Sequence, residues 1–92
     1  MYLVRETYQC KPGMTKEFVN KLSQAVPFME SNDYKNIKIM TGVVSNLWDA
    51  VLEFETDSLT NVGDIYKLGD TRILKGYLDS VTKGKREFFW IE

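Results

Sequence analysis

The apolar residues of this chain recur at two different spacings, and the switches between them outline the fold. Residues 2–10 (YLVRETYQC) are rich in β-formers and stop at Lys11-Pro12-Gly13, where proline removes a ladder donor and glycine permits a turn. A first strand is predicted there. Met14, Phe18, Leu22, Ala25, Val26 and Met29 then recur at steps of three and four, which places them on one helical stripe opposite Lys16, Glu17, Asn20 and Lys21. Pro27 lacks an N–H and clashes with the carbonyl four residues back, so the regular helix is expected to end near Ala25 or to kink, with Pro27 placed to open one further turn. After the turn cluster Ser31-Asn32-Asp33, Ile37, Ile39, Thr41 and Val43 alternate with Lys38, Met40, Gly42 and Val44, the period of a strand. Ser45-Asn46 is short enough for a hairpin link into a third strand, Leu47 to Glu55, with Trp48, Ala50, Leu52 and Phe54 on one face.

Asp57 and Ser58 are suitable caps for Leu59, Val62, Ile65, Tyr66 and Leu68, again at helical spacing. Gly69-Asp70-Thr71 breaks that run, and Ile73, Leu74, Tyr77, Leu78 and Val81 resume it until before Gly84. Phe88 to Ile91 reads as a last strand, apolar on both faces, and Lys83, Lys85 and Arg86 before it read as a solvated turn. The order β-α-β-β-α-β predicts one α+β domain over residues 1–92, ferredoxin-like, with a four-stranded antiparallel sheet and its helices on one face. Neither face of that sheet reads as polar enough to stand in water. The economical cover is the same sheet from a second copy, so a homodimer is expected.

Composition narrows the chemistry. The chain has 92 residues, enough for one core and no second lobe. Lys and Arg total 12 against 13 Asp and Glu, a balance that argues against a nucleic-acid partner. Nor does Leu47-Trp48-Asp49-Ala50-Val51-Leu52-Glu53-Phe54 supply the aromatic pattern of an RNA-recognition third strand. Histidine is absent, which excludes proximal-His haem, His-zinc sites and every Ser-His or Cys-His device. No metal or cofactor is expected. No stretch approaches the roughly 20 apolar residues of a membrane span, so no membrane partner is expected. Unpaired Cys10 fits a reducing compartment, and a cytoplasmic location is the expectation.

Several residues carry candidate chemistry. Asp49 and Glu53 stand about 13 Å apart along a strand, too far to work as an acid/base pair, whereas Glu53 and Glu55 stand about 6.5 Å apart. Ion pairing with Arg5, Lys38 or Arg86 is the better account of these carboxylates. Cys10 has no histidine to activate it and reads as a small buried hydrophobe. Lys11-Pro12-Gly13 reads as a strand-to-helix turn, not a phosphate cradle. The aromatics remain. Trp48, Phe54 and Tyr66 are candidate walls of a cavity between sheet and helices, with Arg72 or Tyr77 able to meet a carboxylate or carbonyl. Gly63, Gly69 and Gly76 within one helical region point to bends there.

At the level of element order, with Tyr-Gln-Cys-Lys-Pro-Gly (Tyr8–Gly13) before an amphipathic helix and Leu52-Glu53-Phe54-Glu55 before the next, the chain resembles the dimeric α/β barrel superfamily. Antibiotic-biosynthesis-monooxygenase-like and NIPSNAP-like proteins look closest. The resemblance implies a homodimer of sheet against sheet and a cavity in each subunit, used in different members for aromatic polyketides, haem or muconolactone-type substrates. Without histidine the haem chemistry does not carry over. Where the monooxygenase-like group often has a Trp at the third strand and a His in the next helix, this chain has Phe54 and residues 62–64. The expected function is therefore cofactor-free binding of a small apolar or elongated organic molecule with at most one polar end, with monooxygenase-like or isomerase-like catalysis as its enzymatic form. The alternative is a non-catalytic dimerisation or sensory module without a cavity.

Overall fold

The computed structural model describes residues 1–42, 48–59 and 77–92. Four strands, β1 (Tyr2–Cys10), β2 (Lys35–Thr41), β3 (Asp49–Thr56) and β4 (Val81–Trp90), form one sheet in the order β2-β3-β1-β4, with α1 (Thr15–Ser31) between the first two. Every neighbouring pair is antiparallel. This is the ferredoxin-like α+β arrangement, and β1 lies inside the sheet with β3 on one side and β4 on the other.

Alternation along β1 and β3 decides which side is the core. Val4, Tyr8 and Cys10 on β1 and Ala50, Leu52 and Phe54 on β3 are buried beneath Phe18, Leu22, Ala25 and Met29 of α1. Those helix positions follow steps of four, three and four, so one stripe covers one sheet face. Each fully buried Phe, Leu or Met there contributes about 1.5–3 kcal/mol relative to exposure. Edge-to-face contacts between Tyr8 and Phe18 and between Tyr34 and Phe54 fix the layers relative to each other.

Four expectations are corrected. The helix runs through Pro27 to Ser31 and does not stop near Ala25. Met29, buried in the core, holds the last turn in place, and the Phe28 carbonyl accepts from both Ser31 Oγ and Asn32 Nδ2 at 2.8 Å. Packing outweighs the bond that proline removes. The third strand begins at Asp49, so Trp48 precedes it; Val43, Val44 and the Ser45-Asn46 link lie outside the described residues.

Third, the last strand begins at Val81, directly after a 3-10 turn at Tyr77–Ser80, and the basic cluster belongs to it. Lys83, Lys85 and Arg86 pair with Gln9, Thr7 and Glu6 of β1, and Gly84 opposes Tyr8 within the ladder instead of ending a helix. The earlier part of the second helical region, residues 60–76, lies outside the described residues.

Fourth, the sheet face turned away from α1 is more polar than expected. Residues directly opposite in an antiparallel pair share a face, so Arg5, Glu53, Lys38 and Glu87 stand side by side on it. Arg5 Nε donates to Glu53 at 2.9 Å and lies over the Phe89 ring at 5.2 Å. Leu3, Val51, Met40 and Phe89 are its apolar positions. Phe88 and Trp90 do point opposite to Phe89, toward the helix side, where Trp90 packs edge-on against Tyr2 yet remains 58% exposed.

Candidate functional site

The first turns of α1 and the adjoining ends of β2 and β3 enclose an open cleft of about 430 Å³. Thr15, Lys16, Val19 and Asn20 line it from the helix, and Thr41, Gly42, Trp48 and Asp49 from the sheet. Positions one and five residues along a helix share a side, so the pairs Thr15/Val19 and Lys16/Asn20 form one wall. The strand end forms the other. The Gly42 N–H donates to the Asp49 carbonyl at 3.1 Å, which closes the β2–β3 end beneath the cleft.

Trp48 is held there by its backbone. Its φ of 70° lies in the left-handed region, an uncommon place for a bulky side chain. Its carbonyl accepts the Cys10 N–H at 2.9 Å, tying the entrance of β3 to the end of β1. With the backbone so fixed, the indole faces the cleft and keeps 41% of its surface exposed. Such conformations cost about 1–3 kcal/mol and concentrate at sites that use them.

Beneath this corner lies Cys10. Burial pushes its thiol above the ordinary value of 9.0; the nearby Thr15 hydroxyl acts in the opposite sense and the Asp49 carboxylate adds to the rise. The thiol is therefore a neutral, packed group near pH 7, as its reading from sequence expected, and carries no nucleophilic chemistry.

A second polar arrangement sits deeper. Glu6 is 2% exposed on the helix side of β1, where Arg86 of β4 stands directly opposite it. Arg86 Nε donates to Glu6 Oε1 at 2.6 Å, a second guanidinium nitrogen pairs with the same oxygen, and the Tyr8 hydroxyl donates to Glu6 Oε2. The carboxylate is thus met by two side chains, one on each oxygen, as a buried charge requires. Gly84 lies against the phenol ring of Tyr8, where a β-carbon would stand at an ordinary contact distance of 3.6 Å. Neither Glu6 nor Arg86 was a site expectation. The available signal was the inward phase of β1, Val4-Glu6-Tyr8-Cys10, which puts a carboxylate among core residues and demands a cation.

Of the expected site residues, Trp48 lines the cleft. Phe54 is completely buried against Tyr34 and presents no surface to a ligand. Tyr66 and Arg72 lie outside the described residues, as does the side chain of Tyr77. Val19, Asn20, Thr15 and Lys16 were missed because the helical stripe assigns them to its flank or its polar side. Among the described residues, no three Asp, Glu or Cys side chains cluster as metal ligands would, and no helix is long and apolar enough to cross a membrane.

Solved structures share this architecture. An uncharacterised NIPSNAP-domain protein from Burkholderia xenovorans superposes with a TM-score of 0.72 over 100% of this chain and 95% of its own, at 12% identity. A NIPSNAP-family protein of unknown function from Agrobacterium tumefaciens gives 0.74 over 97% and 86%, at 13% identity. A protein provisionally assigned as an antibiotic biosynthesis monooxygenase, from Nitrosomonas europaea, gives 0.71 over 98% and 97%, at 11% identity. These likenesses match the resemblance read from the sequence at the level of fold. No protein-family model matches the chain, and no curated protein matches it in sequence.

Proposed function

We propose that the protein binds a small organic molecule with an apolar body in the cleft between α1 and the β2–β3 end, without a cofactor, and that it does so as a homodimer. The observation that carries the reading is Trp48: a large aromatic held at positive φ, half exposed, forming one wall of a cleft of about 430 Å³. That volume is within the range of small-molecule sites, and an indole opposite Val19 offers an apolar slot ringed by a few polar groups. For the dimer, support comes from the sheet face away from α1. There Leu3, Val51, Met40 and Phe89 surround the Arg5–Glu53 pair, a mixture that a two-fold copy can match with opposite charges.

Catalysis of the monooxygenase-like or isomerase-like kind would need a proton acceptor beside the bound molecule. Asp49, the acidic residue in the lining, belongs to the outward phase of β3 with Val51 and Glu53, and Glu6 is engaged by Arg86 and Tyr8. Two experiments test the binding reading together: mass spectrometry of a solvent extract of the purified protein, and titration with a fatty acid and a planar aromatic. An empty extract with no binding below about millimolar, a level worth about 4 kcal/mol, returns the dimerisation module as the better account.

A further inference from the structure

We infer that a row of charges across the outward face of the sheet sets how two copies meet, so that the chain selects its own copy by a two-fold match of opposite charges. This rests on the homodimer proposed above and adds its register and its selectivity. The strand register places Lys38 of β2, Glu53 of β3, Arg5 of β1 and Glu87 of β4 side by side, one from each strand. All four belong to the phase turned away from α1, and all are exposed or partly so. Arg5 Nε donates to Glu53 at 2.9 Å, which fixes the two central members on that face. Across the sheet the signs run plus, minus, plus, minus.

An alternating row of even length is complementary to its own reversal. Aligned sheets pack about 10 Å apart with their strands nearly parallel, and a two-fold axis running along the strands between β3 and β1 reverses the row. Lys38 then meets the partner's Glu87, and Glu53 meets the partner's Arg5. Symmetry repeats both contacts, so every charge faces an opposite one. An axis over β1 or over β3 sets like charges together, and an axis lying across the strands above the row sets each residue against its own copy. The row also crosses the middle of the sheet, with Leu3 and Phe89 beside it on one side and Val51 and Met40 on the other. Its charges leave water when the faces close, so a mismatch there costs more than at a solvated rim.

The test uses the full chain, as wild type and as the exchange variant Arg5→Glu with Glu53→Arg, in sedimentation and native mass spectrometry. The exchange keeps the composition, the pair within each chain and, by the same reversal, the match with its own copy. Against the wild type its two central positions meet like charges. Each protein alone is expected to form homodimers, while mixed dimers, read by isotope labelling of one chain, are expected about tenfold below their statistical share. Arg5→Glu alone is expected to be mainly monomeric, with circular dichroism separating loss of assembly from loss of fold. Where that variant does not fold, the exchange variant carries the test. Statistical mixing overturns the inference but leaves the dimer, as does an exchange variant that is folded and monomeric beside a dimeric wild type. Wild type and exchange variant both monomeric would remove the dimer reading with it.

Discussion

Arg86 donates to Glu6 across the β1–β4 ladder, with 2.6 Å between Nε and Oε1, and by this contact an edge strand rich in polar residues is locked to the middle of the sheet. The pair is on the core side, so its energetics are those of a desolvated charge pair. Removing one partner leaves an uncompensated buried charge, which costs about 3–5 kcal/mol, whereas replacing both with apolar groups is often neutral. Small domains have about 5–15 kcal/mol in total. Arg86→Met should therefore lower the urea midpoint severely or unfold the chain, and Glu6→Leu combined with Arg86→Met should recover part of the loss, because the buried Tyr8 hydroxyl then loses Glu6 as its acceptor. A single variant that melts like the wild type would mean that the pair is solvated.

At Trp48 the backbone and the side chain make separable contributions. Glycine adopts φ of 70° without penalty, whereas alanine keeps the steric cost, so Trp48→Gly should be more stable than Trp48→Ala by about 1 kcal/mol. Both should lose the cleft wall and its ligand. Thermal melts of the two variants check the order, and the reverse order would place Trp48 outside the left-handed region.

Cys10 provides a pH test. Its thiol is raised by burial in the folded state, so the unfolded chain loses this proton first as pH rises. The contribution is fully present below the unfolded thiol value, and stability falls as pH climbs through that value toward the folded one. Cys10→Ala should remove that part of the alkaline decline, and iodoacetamide should label native protein far more slowly than protein in urea. Equal labelling rates would contradict the buried thiol.

The proposed dimer uses the face that carries Phe89, not the one that carries Trp90. Phe89→Asp should thus shift sedimentation toward monomer, while Trp90→Asp, at a 58% exposed position on the other side, should leave assembly unchanged. Dissociation by Trp90→Asp alone would move the interface to the helix side.

How much of this was legible in the sequence follows from periodicity. β1 and the core stripe Phe18-Leu22-Ala25-Met29 were readable because each has an uninterrupted apolar phase with a sharp end signal. β4 was readable only at its aromatic tip. Thr82, Lys83, Gly84, Lys85 and Arg86 have the composition of a turn, and the register that makes them a strand is set by β1, far away in sequence. The Glu6–Arg86 pair was hidden for the same reason: its members are 80 residues apart and no local pattern links them. Trp48 does line the cleft, but its place outside the strand depends on a backbone angle that alternation cannot convey. Phe54 shares its phase with Leu52, and nothing in that phase distinguishes a core aromatic from a cavity aromatic.

The most direct test of the central claim, that the cleft at Trp48 is a ligand site, is a proton–nitrogen NMR titration of the full chain with the compound recovered in the extract or, failing one, with the planar aromatic probe. Saturable shifts confined to Thr15, Lys16, Val19, Asn20, Gly42, Asp49 and the Trp48 indole N–H are the predicted result. Shifts centred instead on Phe88 and Trp90, or no saturation by about millimolar, would contradict it.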